Sequence, residues 1–387
     1  MDAAGTANSK GTLPQFVSYF LRLGTWGFGG PIALAARMQK DLAEDLGWIS
    51  HDDYLEGLAF SQLSPGPLAA QLAMYLGWVR FGNLGATLTG TFFILPSFLM
   101  VLGIAALYLH YGSLPQIQSI FYGVGPAVVT ILARSAYKLI RNTLKKDLLL
   151  WSLFAISAVT TAWTKSEITW LFLLCGVIAL IVKTRPRPAL PASLFLGFQW
   201  LTAGIHGPAS LATCSGLFTF FLKAGAFVFG SGLAIVPFLY GGLVVQSHWL
   251  SERQFLDAVA VAMITPGPVV ITAGFIGYLV AGPTGATLAA IAVFAPPYFI
   301  VLLAAPLYRR FTKNLCVNPF VKGVTAAAIG AITGAVLILA SRTLVDRNSI
   351  LIAGASLGIL SLTKKIPEPV LILLAGLVGF VLLRLTH

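Results

Sequence analysis

The chain contains two copies of one sequence pattern, and this duplication constrains its fold more than any other feature. Residues 20–67 align with residues 221–268, and after one deletion near Tyr75 the match continues along both halves. The recurring positions are rich in glycine, proline and tryptophan, and they include Gly24/Gly225, Phe28/Phe229, Trp48/Trp249, the triplets Pro65-Gly66-Pro67 and Pro266-Gly267-Pro268, Gly85/Gly285, Pro96/Pro296 and Leu107-Tyr108/Leu307-Tyr308. An apolar composition raises chance identity, but it does not align these particular residues across two halves with a single gap. Each half is therefore predicted to fold into the same unit.

Composition places both copies in a membrane. Hydrophobic residues make up 57% of the 387-residue chain and charged residues only 10%, whereas soluble domains carry about 25% charged residues. Apolar runs of about 20 residues, the length that crosses a hydrocarbon core as a helix, recur from end to end. The sequence therefore predicts an all-α polytopic membrane protein in contact with the lipid bilayer, located as a multi-pass protein in the cell inner (plasma) membrane.

Candidate spans follow in the same order in both halves. In the first half they cover about 16–36, 57–79, 84–109, 117–140, 148–163 and 167–183, and in the second half about 212–236, 258–280, 285–308, 321–341, 349–363 and 368–385. An additional short apolar segment at about 190–205 follows a basic linker and either crosses the bilayer or lies at its surface. We expect about 10–13 transmembrane spans, divided into a first repeat (1–188), a linker with a possible extra span (189–206) and a second repeat (207–387).

The distribution of basic residues predicts that the two repeats have opposite orientations. The net charge of +12 comes from Lys and Arg in short loops between apolar runs. Orientation signals occur in such loops, so we expect no nucleic-acid partner. If the segment at 190–205 crosses the membrane, most of these residues fall on the cytoplasmic side, whereas a segment that does not cross divides them almost evenly. The positive-inside rule favours the first arrangement, which is an inverted-topology repeat.

Two helix breaks are predicted in each repeat. The first is at 27–31, repeated at 228–232, and the second is at 64–67, repeated at 265–268. Proline lacks an N–H and clashes with the preceding turn, so two prolines around a glycine end a helix. Within a bilayer, freed backbone groups are tolerated only where protein or a polar cavity satisfies them. Helix N-termini that converge at such breaks attract anions, although a proline kink that eases helix packing is the simpler alternative.

Few charged side chains lie within the apolar runs. Arg22 and Lys223 occupy equivalent positions in the first span of each repeat. A charge there marks a site or a pathway unless its long side chain reaches the membrane surface. Glu56 and Asp257 are equivalent carboxylates at the start of the Pro-Gly-Pro span, and they are candidates for proton coupling, with an exposed helix face as the alternative.

Enzyme signatures are absent from the sequence. It contains neither a His-Glu-x-x-His motif nor a phosphate-binding glycine loop with Lys and Ser/Thr. Its three cysteines are scattered without metal-ligand spacing. We expect no enzymatic activity, no cofactor and no bound metal, and transport powered by ATP in this chain is excluded.

Three pieces of the chain together resemble a known family. Phe28-Gly29-Gly30-Pro31, the run 61–67 followed by Gln71, and the second Pro-Gly-Pro are similar to the chromate ion transporter family in its long, two-repeat form. The resemblance covers nearly the whole chain, including the repeat layout and the basic central linker. One departure is Ile32-Ala33-Leu34, where the family often has a histidine after Gly-Gly-Pro. The resemblance implies export of chromate, with sulfate as its structural analogue.

These observations lead to the hypothesis of a secondary-active carrier for a tetrahedral oxyanion. The first expectation is chromate efflux that confers chromate resistance, and the alternatives are an uptake carrier for sulfate or a related anion and, in a different class, a membrane enzyme or scaffold. A homodimer is compatible with each of them. The substrate-binding residues that we predict lie at the helix breaks and within the first spans: Arg22, Gly29, Gly30, Pro31, Ser61, Gln62, Ser64, Pro65, Gly66, Gln71, Lys223, Gly230, Ser231, Thr265 and Gly267.

Overall fold

The described part of the chain is helical throughout. The computed structural model describes residues 11–28, 30–111, 114–164, 169–184, 211–227, 235–311, 317–362 and 366–385. The helices of the first repeat are α1 (Leu13–Trp26), α2 (Gly30–Met38), α3 (His51–Leu63), α4 (Leu68–Tyr111), α5 (Pro115–Thr143), α6 (Leu148–Thr164) and α7 (Thr169–Thr184). Those of the second repeat are α8 (Leu211–Phe227), α9 (Ile235–Tyr240), α10 (Glu252–Ile264), α11 (Thr272–Phe311), α12 (Val317–Thr343), α13 (Arg347–Leu362) and α14 (Glu368–Leu385). The described residues include no extended strand, and the all-α prediction is confirmed.

Several of these helices have the length and composition of membrane spans. Four segments are long and apolar enough to cross a bilayer: Leu68–Tyr111, Gln116–Arg141, Val269–Pro306 and Lys322–Thr343. Four shorter apolar helices accompany them: Leu148–Thr164, Leu171–Lys183, Arg347–Leu362 and Glu368–Leu382. The prediction of a polytopic membrane protein is confirmed, while the additional segment at 190–205 lies outside the described residues.

Each Pro-Gly-Pro triplet joins two short helical arms into a hairpin. In the first repeat the arms are α3 and the first part of α4, which ends where Gly82 adopts a φ of 63°. The second hairpin consists of α10 and the start of α11, and Gly282 interrupts α11 with the same φ of 63°. The 13 residues of α3 or α10 give a helix about 20 Å long, which is shorter than the hydrocarbon core of about 30 Å. The apolar runs at 57–79 and 258–280 therefore turn back at the triplets instead of crossing as continuous spans.

The parts of α4 and α11 after these glycines are antiparallel to each other. The hydroxyl of Thr87, early in one helix, lies 2.7 Å from the hydroxyl of Tyr298, late in the other. Phe98 and Thr287, the counterparts of Tyr298 and Thr87, line the same groove between the two helices. The contact between an early residue of one helix and a late residue of the other, with both counterparts on the same groove, fits a two-fold axis that reverses the helix direction. This is the inverted-topology repeat with broken helices that the sequence predicts.

Helices are exchanged between the repeats. α5 packs against α13 and α14 of the second repeat, and α12 packs against α6 and α7 of the first. The two interfaces are equivalent, because Gly123 of α5 lies against the carbonyl of Ala375 and Gly323 of α12 lies against the carbonyl of Cys175. Small residues permit this close approach of helix backbones within a membrane. The two repeats thus complete each other's packing. The domain boundaries 1–188, 189–206 and 207–387 stay a prediction.

Candidate functional site

The first helix break of repeat one contacts the hairpin of repeat two. α1 ends at Trp26 and the helix resumes at Gly30. Between them, the carbonyl of Gly27 accepts a hydrogen bond from the backbone N–H of Gly267 at 3.0 Å. Pro31 lies in the first turn of α2, where its missing N–H costs the helix nothing. The break therefore supplies a backbone acceptor to the tip of the opposite hairpin.

Both hairpin tips point into the protein and contact the other repeat. A Cβ atom added to Gly66 would lie 2.6 Å from Cβ of Pro297 on α11. A Cβ atom added to Gly267 would collide with the hydroxyl of Ser97 on α4. Because Ser97 and Pro297 are equivalent positions, the two tips dock at matching places on the two long helices. Both tip glycines are buried, as expected for breaks that face protein rather than lipid.

The first tip contains buried polar atoms without hydrogen-bond partners. The Gln71 amide Nε2 donates to the carbonyl of Pro65 at 2.7 Å and to Oγ of Ser64 at 3.1 Å. Ser64 Oγ in turn donates to the carbonyl of Phe60 at 2.8 Å. By contrast, Gln71 Oε1 and Ser61 Oγ are buried and have no partner among the described residues. An unsatisfied buried polar group costs about 1–3 kcal/mol, so these two atoms mark the first tip as a candidate binding site.

Polar side chains of the second tip donate to nearby backbone carbonyls. Thr265 Oγ1 donates to the carbonyl of Ala262 at 3.2 Å, and Thr272 Oγ1 donates to the carbonyl of Val269 at 2.6 Å. Thr272 and Ala262 are the counterparts of Gln71 and Ser61. The two tips therefore share a backbone shape, while the available polar atoms belong to the first.

The first tip also presents a helix N-terminus. α4 begins at Leu68 directly after Pro67, and the first backbone bond of the helix runs from the N–H of Gln71 to the carbonyl of Pro67. The backbone N–H groups of residues 68–70 come before that bond, so they have no acceptor within the helix. Leu68, like its two successors, is buried. Helix N-termini bind anions through such N–H groups and through the positive end of the helix dipole.

The structure brings some of the predicted site residues together and separates others. Those at the first tip are Ser61, Ser64, Pro65, Gly66 and Gln71, and those at the second tip are Thr265 and Gly267. Gln62 and Arg22 lie on exposed helix faces, and Lys223 is half-buried at the equivalent position on α8. Gly30 and Pro31, at the start of α2, are half-buried. Gly29, Gly230 and Ser231 lie outside the described residues.

The two candidate proton-coupling carboxylates differ in their surroundings. Asp257 on α10 is 4% exposed and accepts a hydrogen bond from the hydroxyl of Tyr108 at 2.7 Å. Glu56 on α3 is half-buried. Sequence reasoning missed Tyr108 and Ser97 as functional candidates. Tyr108 carried a signal, because its recurrence as Tyr308 marked a position that the duplication preserves.

A separate groove of about 460 Å³ lies between α4 and α11. Its lining is mainly apolar, with residues such as Met74, Ile94 and Phe294, and its polar members are threonine and tyrosine hydroxyls. It contains no cationic side chain. An anion is therefore better accommodated at the hairpin tips than in this apolar groove.

The protein has an inverted duplication, half-length hairpins that dock on the opposite repeat, and buried polar groups at one hairpin tip. These features together are those of a membrane transporter. The chain belongs to the chromate transporter family. The family model described as "Chromate transporter" matches residues 14–180 and 215–380, which gives one match in each repeat. The resemblance that the sequence motifs indicated is thereby confirmed, and the family is one of transporters and not of enzymes.

Full-length relatives carry the same family name. The chain is 50% identical to the "Chromate transport protein" of Cupriavidus metallidurans, over 100% of this chain and 97% of that one. It is 49% identical to the "Probable chromate transport protein" of Synechococcus elongatus, over 96% and 95% of the two chains. Identity with the "Chromate transport protein" of Pseudomonas aeruginosa is 30%, over 95% and 92%. No solved structure matches the chain.

Proposed function

We propose that this protein carries chromate out of the cell across the inner membrane as a secondary transporter, and thereby confers chromate resistance. The proposal is supported by the relatives, whose names specify chromate transport over the full length of the chain. The structural observation that carries it is the first hairpin tip, where α4 begins directly after Pro67 and the buried Ser61 Oγ has no partner among the described residues. Both supply donors to an oxyanion without a cofactor or a metal ion.

Binding of a tetrahedral dianion at this tip has a direct physical basis. The oxygens of the anion accept hydrogen bonds from the first-turn N–H groups of α4 and from the Ser61 hydroxyl. The half-buried Lys223 and the exposed Arg22 supply positive charge along the two first helices, in line with the rule that intramembrane charges mark a pathway. Ser64 and Gln71 shape the turn through their hydrogen bonds to each other and to Pro65.

The membrane potential is sufficient to drive export. One elementary charge that crosses the membrane gains about 2.3 kcal/mol per 100 mV, so a dianion gains about 4.6 kcal/mol per 100 mV. A negative cell interior therefore favours exit of chromate without ATP. Glu56 and Asp257 are the candidates for any proton that is coupled to this movement.

Access to the tips requires movement of the repeats, because Gly66, Gly267 and the start of α4 are buried in this conformation. In inverted-repeat transporters, one bundle rocks against the other around a central site and exposes it to each side in turn. The docking of each hairpin on the opposite long helix provides the contacts that such rocking makes and breaks.

Chromate flux in proteoliposomes tests the function and the charged residues together. We expect chromate to cross vesicles that contain the protein, and Arg22→Gln and Lys223→Gln to lower that flux at least tenfold while membrane insertion persists. Lys146→Gln, which changes an exposed loop cation, is the matched control and is expected to retain the flux. Unchanged flux in both Arg22→Gln and Lys223→Gln would retire their assignment, and sulfate flux larger than chromate flux would favour a sulfate carrier instead.

A further inference from the structure

The first hairpin tip offers a hydrogen-bond acceptor as well as donors. Gln71 lies in the first turn of α4 and is fully buried. Its amide packs against the tip, because a Cβ atom added to Gly66 would lie 2.5 Å from Gln71 Cδ. Gln71 Nε2 donates to the carbonyl of Pro65 at 2.7 Å and to Oγ of Ser64 at 3.1 Å, whereas Oε1 has no partner among the described residues. The tip therefore holds a buried acceptor that a donor from a ligand can satisfy.

The orientation of this amide follows from its neighbours. The Pro65 carbonyl has no proton to donate, so the amide group 2.7 Å from it is the NH2 group. Rotation of the amide by half a turn would bring two carbonyl oxygens together. Ser64 supports the same orientation, since its hydroxyl proton is donated to the carbonyl of Phe60. Gln71 Oε1 is thus held as an acceptor.

Donors accompany this acceptor at the tip. Ser61 lies one turn before Ser64 on α3, and its buried Oγ has no partner among the described residues. The backbone N–H groups of residues 68–70 begin α4. A ligand that satisfies the tip must therefore accept several hydrogen bonds and donate one to Gln71 Oε1. A bare oxyanion has acceptors only, so it would leave this buried oxygen unsatisfied and close to a like charge.

Protonation distinguishes chromate from its tetrahedral analogues. Chromate is the anion of a weak acid, and near neutral pH a share of it carries a proton as hydrogen chromate. Sulfate and selenate are anions of much stronger acids and remain unprotonated at this pH, and selenate is close to chromate in size. Hydrogen chromate combines several acceptor oxygens with a single O–H donor. This is the combination that the first tip requires.

We propose that the first tip binds chromate together with a proton, as hydrogen chromate, and that Gln71 Oε1 accepts the hydrogen bond of this proton and thereby selects chromate over sulfate. The inference rests on the proposed function, since it names the protonation state of the substrate at the same site. A site built to bind a substrate hydroxyl rejects an analogue without it, because a buried polar group is then left unpaired. The proton comes from water on the side of entry and leaves with the anion. The bound anion keeps a single negative charge, so an interior-negative potential still favours its exit.

Ionisable side chains around the tip must be separated from the proton of the substrate. Gln71, Ser61 and Ser64 make no hydrogen bond to an ionisable side chain among the described residues. Titration of more distant groups acts on the transport of every anion, so the ratio of chromate flux to selenate flux isolates the proton that the substrate carries. Such groups on α3, α4 and the helices in contact with them include Arg22, Arg37, Glu56, Tyr75, Asp257 and Tyr308.

Anion flux of the full chain in proteoliposomes, with the same pH on both sides of the membrane, tests the inference. Near neutral pH we expect chromate flux to exceed selenate flux and sulfate flux by about tenfold or more. The ratio of chromate flux to selenate flux should fall as the pH is raised from mildly acidic to mildly alkaline, because the share of hydrogen chromate falls while selenate does not change. A ratio independent of pH, or selenate flux equal to chromate flux, would overturn the inference and leave chromate transport intact.

Gln71→Lys tests the acceptor itself. Lysine offers donors to the Pro65 carbonyl and to Ser64 Oγ but has no acceptor. We expect the ratio of chromate flux to selenate flux to fall by about tenfold or more and to lose its pH dependence, because a tip with donors alone accepts bare dianions. Gln116→Lys adds the same charge at an exposed position of α5 and should keep the wild-type ratio.

The possible outcomes separate the inference from the proposed function. A Gln71→Lys protein that inserts and keeps the wild-type ratio and pH profile would overturn the role of Gln71. If this variant does not insert, the flux ratio of the wild type and its pH dependence decide the question. Absence of flux for chromate, sulfate and selenate in the wild type would overturn the proposed function, and the inference with it.

Discussion

At the scale of single residues, the two tip glycines are required by both backbone conformation and space. Gly66 has a φ of 140° and Gly267 a φ of 96°, which lie in a region that residues with a Cβ rarely adopt. A side chain at Gly66 would also collide with Gln71 and Pro297, and one at Gly267 with Ser97. The hairpins can therefore dock on the opposite repeat only with glycine at these positions.

We expect Gly66→Ala and Gly267→Ala each to lower thermal stability and chromate flux, because strained backbone alone costs about 1–3 kcal/mol. Thermal unfolding and vesicle flux of the purified variants measure both effects. Gly103→Ala is the control, since Gly103 lies in α4 with open space around its Cβ position. Wild-type stability and flux in both tip variants would show that the tips do not need this geometry.

Gln71 and Gln62, nine residues earlier, are expected to differ in their effect on chromate flux. Gln71→Leu removes the donor to Pro65 and Ser64 and the unpartnered acceptor in one change. We expect a loss of chromate flux of at least tenfold with the protein still inserted. Gln62→Leu changes an exposed amide on the same hairpin and should retain the flux. Equal effects of the two substitutions in the vesicle assay would remove the first tip from the binding site.

At the scale of elements, loop contacts set the ends of the apolar helices. Asp147 precedes α6 and accepts hydrogen bonds from the N–H of Leu149 and Leu150 at 3.2 Å and 3.4 Å. Its other carboxylate oxygen accepts a charged hydrogen bond from Lys183 at the end of α7. The Lys183 hydrogen bond holds the pKa of Asp147 below its usual range. The pair thus joins the ends of two helices that both pack on α12 of the other repeat.

This pair predicts a pH-dependent stability. A carboxyl whose pKa is lowered in the folded state stabilises the fold above its unfolded pKa of about 3.9, and that contribution disappears as the pH falls through the folded value. Asn caps helices as well as Asp does, so Asp147→Asn removes mainly the ion pair and should cost up to about 1 kcal/mol at pH 7. Thermal unfolding from pH 7 to pH 3 measures the difference in stability between Asp147→Asn and wild type. This stability difference should narrow only below about pH 4. A difference that stays constant across this range would assign the loss to capping.

At the scale of the whole molecule, the exchanged helices make each repeat incomplete without the other. α5 needs α13 and α14 to cover its surface, and α12 needs α6 and α7. The contacts are close, as Gly330 and Gly334 on α12 lie against the backbone of α6. Separation of the repeats would leave these tightly packed faces against lipid, with the hairpin tips undocked.

We therefore predict that residues 1–188 and 207–387, expressed separately, do not transport chromate, and that their co-expression restores flux. The interfaces on α5 and α12 supply the driving force for reassembly through close helix packing. Co-purification of the two fragments and flux in vesicles measure the outcome. Full transport by the first fragment alone would contradict the requirement for exchanged helices.

Part of the fold could be predicted from the sequence alone. The duplication, the breaks at Pro65-Gly66-Pro67 and its counterpart, and the inverted orientation all followed from residue types and their spacing. The contact between Tyr108 and Asp257 did not, because it joins positions far apart in the chain and depends on how the hairpin docks. The exposed positions of Arg22 and Gln62 also depend on which helix face packs inward, since a charge or amide in an apolar run does not reveal its direction.

Chromate efflux from proteoliposomes under an imposed membrane potential tests whether the docked hairpin tips form a potential-driven chromate pathway. We predict that an interior-negative potential accelerates efflux from vesicles containing the wild-type chain, and that Gly66→Ala removes this acceleration while Gly103→Ala keeps it. Efflux that does not respond to the potential, or that responds equally in wild type and Gly66→Ala, would contradict the claim.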